Sequence, residues 1–217
     1  MEVFIEKFCR RYNLSETDVK ALTEQMQEVR FRKKEAIVIE GERNSNLYLI
    51  KEGIWRGHYL KDGTDTTIWF ASVGEIAFSI WGYADNSISQ ISIEACNDSI
   101  AYSIPRHLLT KLFDSSLGLA NLGRRLMEQQ LLTTENWLLS NDSPRAKERY
   151  LTLIRETPEL LQHVPQKHIA SYLWITPQSL SRIRAKIQDR TPYPAIPEKA
   201  EPAASGVLSA PGVEIGD

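Results

Sequence analysis

The spacing of apolar and polar positions divides the chain into stretches of different period. Residues 1–30 follow a helical period, with Leu14, Val19, Leu22 and Met26 on one apolar stripe. Ser15-Glu16-Thr17-Asp18 has the spacing of a capping box, in which the Ser side chain satisfies a free backbone N–H and the Asp reaches back. From about Val29 to Ile104 the period changes. Residues 36–39, 47–50, 54–60, 66–71, 89–95 and 100–104 are rich in β-branched and aromatic residues and are predicted as short strands. Turn signals separate them: Glu40-Gly41-Glu42, Glu52-Gly53, Asp62-Gly63 and Val73-Gly74-Glu75. Asp62-Gly63 is a hairpin signal, because Gly tolerates the positive φ of a primed turn. Short strands in this density predict a small antiparallel barrel or roll.

Residues 106–140 return to a helical period. Leu108, Leu112, Leu119, Leu122, Leu126, Leu131, Leu132, Leu138 and Leu139 are too many for one narrow stripe. A continuous helix here would span roughly 50 Å at ~1.5 Å per residue and would need two packing partners. One is the roll. The other is expected to be the same helix of a second subunit, with Leu119, Leu122, Leu126, Thr133 and Trp137 near a three-four spaced seam, the alternative being a helix packed wholly within its own subunit. Asn141-Asp142-Ser143-Pro144 reads as a helix stop and a new start. Residues 144–156 then form an amphipathic helix with Ala146, Tyr150, Leu153 and Ile154 inward, and a short helical piece, 159–161, follows Thr157-Pro158.

Residues 165–187 read as two helices joined by a tight turn. Ile169, Ala170 and Leu173 face inward on the first, and Leu180, Ile183 and Ile187 on the second. Ala170 is small where the helices cross. Thr176 is an N-cap and Pro177 a first helical residue. The outer face of the second helix carries Gln178, Ser179, Ser181, Arg182 and Lys186. Those groups suit a DNA major groove. Gln pairs bidentately with adenine and Arg with guanine, while hydroxyls and a helix N-terminus take phosphates. Gln166 and Lys167, opening the first helix, complete the expected DNA-facing set.

Charge sharpens this reading. The 217 residues carry a formal net charge of −2, which by itself argues against a nucleic-acid binder. Its distribution reverses that inference. Residues 1–142 are net −4, residues 191–217 net −3, and residues 143–190 hold nine basic and four acidic side chains, net +5. Five of the ten prolines lie in residues 191–217, which have no periodicity and are expected to be a disordered tail. No apolar run approaches a membrane span, and the charged start lacks a signal-peptide core, so a cytoplasmic protein without membrane contact is expected. Cys9 and Cys96 are too few for a disulfide framework or a four-cysteine cluster. Of His58, His107, His163 and His168 only His58 lies among the strands, so no metal site is expected. With no phosphate loop and no nucleophile elbow, neither enzymatic activity nor a cofactor is expected.

On these residues the chain resembles regulators of the Crp/Fnr type. Glycines at the turns of the roll (Gly41, Gly53, Gly63) carry part of the likeness, and residues 169–173 with 179–183 are its most diagnostic part. The resemblance implies an α+β chain: an N-terminal, jelly-roll-like antiparallel β-roll sensor (1–105), a dimerisation helix (106–142) and a C-terminal helix-turn-helix (143–190), followed by the tail (191–217). It implies a homodimer on a pseudo-palindromic duplex DNA site, with RNA polymerase as a further partner. Gln178 and Arg182 match the family's base-reading positions, and Thr176 and Ser179 its phosphate contacts.

Three departures qualify the resemblance. A cyclic-nucleotide cassette would begin at Gly74-Glu75-Ile76-Ala77-Phe78 and place an Arg near Ser89-Gln90. No Arg or Lys occurs from Glu75 to Ala95, and a buried phosphate without a cation is costly. Cyclic AMP is therefore not the expected effector, and the effector is left unassigned. Gly74, Glu75, Ile76, Phe78, Ser89 and Gln90 are the candidate ligand pocket, while Phe78, Trp81 and Tyr83 are expected to be core packing. Trp174 stands where many such turns carry Gly, and the wing hairpin that usually follows the second helix is missing. These departures keep open an alternative: a protein-interaction or ligand-sensing module of the same architecture that has lost DNA binding.

Overall fold

The computed structural model describes residues 3–140 and 146–188. Two helices, α1 (Val3–Arg11) and α2 (Glu16–Glu24), precede the strands β1 (Gln27–Phe31), β2 (Ala36–Val38), β3 (Asn46–Glu52), β4 (Trp55–Lys61), β5 (Thr64–Ala71) and β6 (Ile76–Ala77). A short helix α3 (Ile80–Asp85) leads to β7 (Ser92–Ala95) and β8 (Ser99–Pro105). The helices α4 (Arg106–Ser115), α5 (Leu117–Ser140), α6 (Ala146–Glu156), α7 (Leu160–His163), α8 (Gln166–Tyr172) and α9 (Pro177–Gln188) follow. The expected α+β architecture with an antiparallel roll is present.

The strands form two four-stranded antiparallel sheets, in the orders β1-β8-β3-β6 and β2-β7-β4-β5. Between them lie Val38, Ile50, Trp55, Ile93, Ala95 and Ala101, with Trp55 edge-on to Phe31 and Tyr48 at 5.3 and 5.5 Å. Asp62 and Gly63 both have positive φ (51° and 76°), the conformation of the primed turn that their sequence predicts between β4 and β5. A second core holds Leu47, Leu49 and Ile104 of the roll against Phe8, Val19, Leu22, Leu112, Leu119, Leu122 and Leu126 of the helices.

Three expectations change. Residues 1–30 are not wholly helical, because α2 ends at Glu24 and β1 starts at Gln27, pairing antiparallel with β8. The helix over 106–140 is not continuous. Ser116 is extended (φ −153°, ψ 144°), and its hydroxyl caps α5 by accepting from the Leu119 N–H at 3.1 Å while donating to Asp18. That Ser116 hydroxyl, with Ser15, holds the Asp18 carboxyl below its usual pKa against the opposing effect of burial. Asp18 thus joins the α2 capping box, where its N–H donates to Ser15 Oγ at 3.1 Å, to the start of α5.

The third change concerns the seam. Leu119, Leu122, Leu126 and Thr133 are buried within their own subunit, so they cannot meet a second copy. The leucines left exposed on α5 are Leu117, Leu131, Leu132, Leu138 and Leu139. The Trp137 side chain, the 141–145 connection with its Pro144 start, and the 191–217 tail lie outside the described residues, as does the segment where a wing would follow.

Candidate nucleic-acid interface

The face proposed for DNA is built by α8, a turn and α9. Ile169, Ala170 and Leu173 are buried against Leu180, Tyr150, Leu153 and Leu160, with Ile183 and Ile187 half-buried beside them. Ala170 is fully buried between the helices, where a larger side chain would push them apart.

The turn follows the Schellman pattern. The Ile175 N–H donates to Ala170 C=O and the Trp174 N–H to Ser171 C=O, both at 3.0 Å. That pattern needs a left-handed residue just past the helix, and Trp174 occupies it at φ 55° while 43% exposed. The turn is therefore of the kind that usually takes Gly, at a strain of order 1 kcal/mol for an L side chain. Two holds flank it. Arg149, buried on α6, donates from Nη2 to the Leu173 carbonyl at 2.8 Å. Thr176 then caps α9, accepting the Ser179 N–H at 3.1 Å on Oγ1, which also lies 3.0 Å from Ser179 Oγ.

This geometry brings Gln178, Ser179, Ser181, Arg182 and Lys186 together on α9, next to Thr176. Gln178, Ser181, Arg182 and Lys186 are exposed, and Ser179 is half-buried. Gln166 and Lys167 are exposed at the first turn of α8. Among the described residues, Gln178, Arg182 and Lys186 make no side-chain hydrogen bond, so their polar ends are free to meet a ligand.

The other candidate residues form a site that is closed upon itself. Gly74 turns the chain at φ 88° into β6. The buried Glu75 bends back, accepting the Ser72 N–H at 2.7 Å. Ile76 and Phe78 belong to the second core, and Phe78 packs on Tyr83 at 5.1 Å. The buried Ser79, which caps α3, donates to the buried Ser89 at 2.8 Å, and Ser89 donates in turn to the Ile91 carbonyl at 2.7 Å. Gln90 points to solvent and is not part of this arrangement. Two crevices flank β6 towards α5, one bordered by Glu75 and Gln129 and the other by Phe78 and Thr133. Each has room for about one water molecule.

Sequence patterns missed a third cluster, which joins α8 to the roll. Arg56, buried on β4, binds Asp65 bidentately (2.8 and 2.8 Å), Glu94 at 2.7 Å and Thr67 at 2.9 Å. Burial opposes the Arg56 charge, but the two carboxylates outweigh it and raise its pKa. Burial likewise acts to raise the Asp65 pKa, and the Arg56 bonds overcome it, so the carboxyl titrates below its usual range. His168 of α8 is buried with Nδ1 3.7 Å from Asp65, and His58 Nδ1 lies 3.2 Å from the same carboxylate. Desolvation, reinforced by the Arg56 charge, pushes His168 down to about 4 and lowers His58 as well. Both imidazoles are neutral near pH 7. One sequence signal for Arg149 existed: it lies four residues before Leu153, on the inner stripe of α6.

Residues 28–116 match the family model of the cyclic nucleotide-binding domain. No curated protein matches the chain. Solved structures share the fold of most of it, cyclic nucleotide-binding domain and C-terminal helices together. FixK2 from Bradyrhizobium japonicum is similar at 21% identity and a TM-score of 0.66, over 76% of this chain and 85% of that one. The c-di-GMP responsive global regulator CLP from Xanthomonas campestris is similar at 14% identity and 0.60, over 81% and 92%. A transcriptional regulator of the CRP family from Thermus thermophilus is similar at 20% identity and 0.57, over 74% and 84%. Over these spans the chain shares the fold of those three structures. No helix among the described residues is long and apolar enough to cross a membrane.

Proposed function

We propose that this chain is a sequence-specific DNA-binding transcription regulator of the Crp/Fnr type, working as a homodimer and without enzymatic activity. The observation that carries the proposal is the outer face of α9. Gln178, Ser181, Arg182 and Lys186 stand exposed on one capped helix, within a +5 block, and Gln178, Arg182 and Lys186 make no side-chain hydrogen bond among the described residues. In this reading Gln178 and Arg182 meet base edges. Thr176, Ser179, Lys167 and Lys186 meet phosphates, with Gln166 and Ser181 supporting at the rim. The regions 1–105, 106–142 and 143–190 serve as sensor, dimerisation segment and DNA-binding unit, with α5 as the helix that pairs.

The dimer reading is supported by Leu131, Leu132, Leu138 and Leu139. They repeat at seven residues and leave an apolar stripe exposed on the C-terminal half of α5. The regulator does not answer to cyclic AMP in this reading. The candidate pocket lacks a cation for the phosphate, and its serines already bond to each other. CLP, described as c-di-GMP responsive, has a similar fold, so the architecture is not tied to one effector.

Selection of binding sites from random duplexes with the purified protein tests the proposal. An enriched two-fold motif with half-sites about 34 Å apart is expected. Failure to enrich any motif would overturn it.

A further inference from the structure

The DNA-binding unit, 143–190, is 48 residues long, a size at which a chain is marginal on its own core. Here the core is borrowed. Ile54, Phe70 and Cys96 of the roll are buried in one cluster with Tyr150, Leu160, Ile169, Leu173 and Leu180 of the helices, and Phe70 packs on Tyr172 at 5.3 Å. Where the two parts meet, β5 is the edge strand of its sheet. An edge strand exposes unpaired N–H and C=O groups that must find partners. One hydroxyl satisfies two of them. Ser171 Oγ accepts from the Thr67 N–H at 2.9 Å and donates to the Asp65 carbonyl at 3.0 Å. Ser171 thus pairs with the edge as a neighbouring strand would, and it does so from the last turn of α8. The turn that launches α9 follows at Leu173, whose carbonyl Arg149 holds from the other side. The exposed face of α9 stays open while α8 is seated.

We infer that Ser171 is a positioning residue for DNA recognition, seating α8 on the edge of β5 and so fixing the direction in which α9 presents Gln178 and Arg182. The inference rests on the DNA-binding reading above. Ser171 touches no DNA in this arrangement and acts through the helix that carries it. In a two-fold dimer the aim of each α9 sets the distance between the two grooves it enters, so loss of the seat relaxes the spacing between half-sites before it abolishes contact with either.

The test compares the wild type with Ser171→Ala and Ser171→Thr on the selected duplex and on duplexes with two base pairs added or removed between half-sites. The wild type is expected to lose about tenfold or more in affinity on the altered spacings. Ser171→Ala should lose less than about threefold between spacings, exchange its Thr67 amide hydrogen faster, and keep the thermal midpoint of the roll. Ser171→Thr retains the hydroxyl and should restore the wild-type spacing preference. If Ser171→Ala weakens all spacings equally, or leaves Thr67 exchange unchanged, the positioning role is overturned while DNA binding stands. If the wild type binds none of the duplexes, the DNA-binding reading itself falls and takes the positioning role with it.

Discussion

The cyclic nucleotide-type cassette of the roll and the α8–α9 face hold similar polar groups and treat them in opposite ways. In the cassette, Ser79, Ser89 and Glu75 are buried and bonded inward, to each other or to nearby backbone. On α9, Gln178, Ser181 and Arg182 are exposed, and the side chains of Gln178 and Arg182 make no hydrogen bond among the described residues. A ligand entering the cassette must first break hydrogen bonds that the protein has made, leaving a buried group unpaired at about 1–3 kcal/mol. A duplex meeting α9 displaces only water and counterions. Serine hydroxyls line a closed wall in one place and an open polar face in the other. Prior satisfaction separates them, and so does charge, since α9 carries Arg182 and Lys186 while residues 75–95 carry no Arg or Lys.

Arg182 is where this contrast breaks most sharply. Arg182→Ala should cost about 1–3 kcal/mol on the selected site and relax its preference at one position of each half-site, as read by quantitative electrophoretic binding. Lys186→Ala, by comparison, should weaken all sequences alike and flatten the salt dependence by about one ion.

Next in size is an effect of acid on the seam between the two regions. The pKa of His168 in the folded chain, about 4, lies below its unfolded value, so its neutral form stabilises the fold above pH 6.5. That stability is lost as pH falls from 6.5 towards 4, and the depressed His58 acts in the same direction. Between pH 7.5 and 5 the loss assigned to His168 is about 2 kcal/mol, a fall of about 5 °C in the thermal midpoint. His168→Gln should flatten that slope. An unchanged slope would place the titrating group elsewhere. The smallest expected effect is on the closed cassette: millimolar cyclic AMP should leave the thermal midpoint unmoved, and a stabilising shift would show that the serine pair opens to admit it.

Much of the roll was legible because its signals are local. Asp62-Gly63 adopts the positive φ values its turn requires, and the β-branched runs became strands in register. The α9 face was legible for the same reason, through its cap and its three-four spacing. What escaped depends on partners distant in sequence. Ser116 breaks a Leu-rich helical run by bonding Asp18, 98 residues away, and no local pattern records that. On α5, leucines lie on several faces, so periodicity could not tell that Leu119, Leu122 and Leu126 face their own roll while Leu131 and Leu138 face outward. Nothing in the apolar spacing of α8 marks Ser171. Its role appears only when β5, over a hundred residues upstream, lies beside it.

The two cysteines give the molecule a pair of built-in clocks. Cys9 lies in the core between the N-terminal helices and the roll, and Cys96 in the core that the roll shares with α6, α8 and α9. Burial raises both thiols, Cys96 to about 12, and only the thiolate reacts with a disulfide or an alkylating reagent. Each sulfur therefore stays inert until its own core opens. The time course of labelling at Cys96 against that at Cys9 counts how often α6, α8 and α9 part from the roll for every opening of the N-terminal helices. The unaltered sequence thus carries its own measure of how independently its two halves breathe.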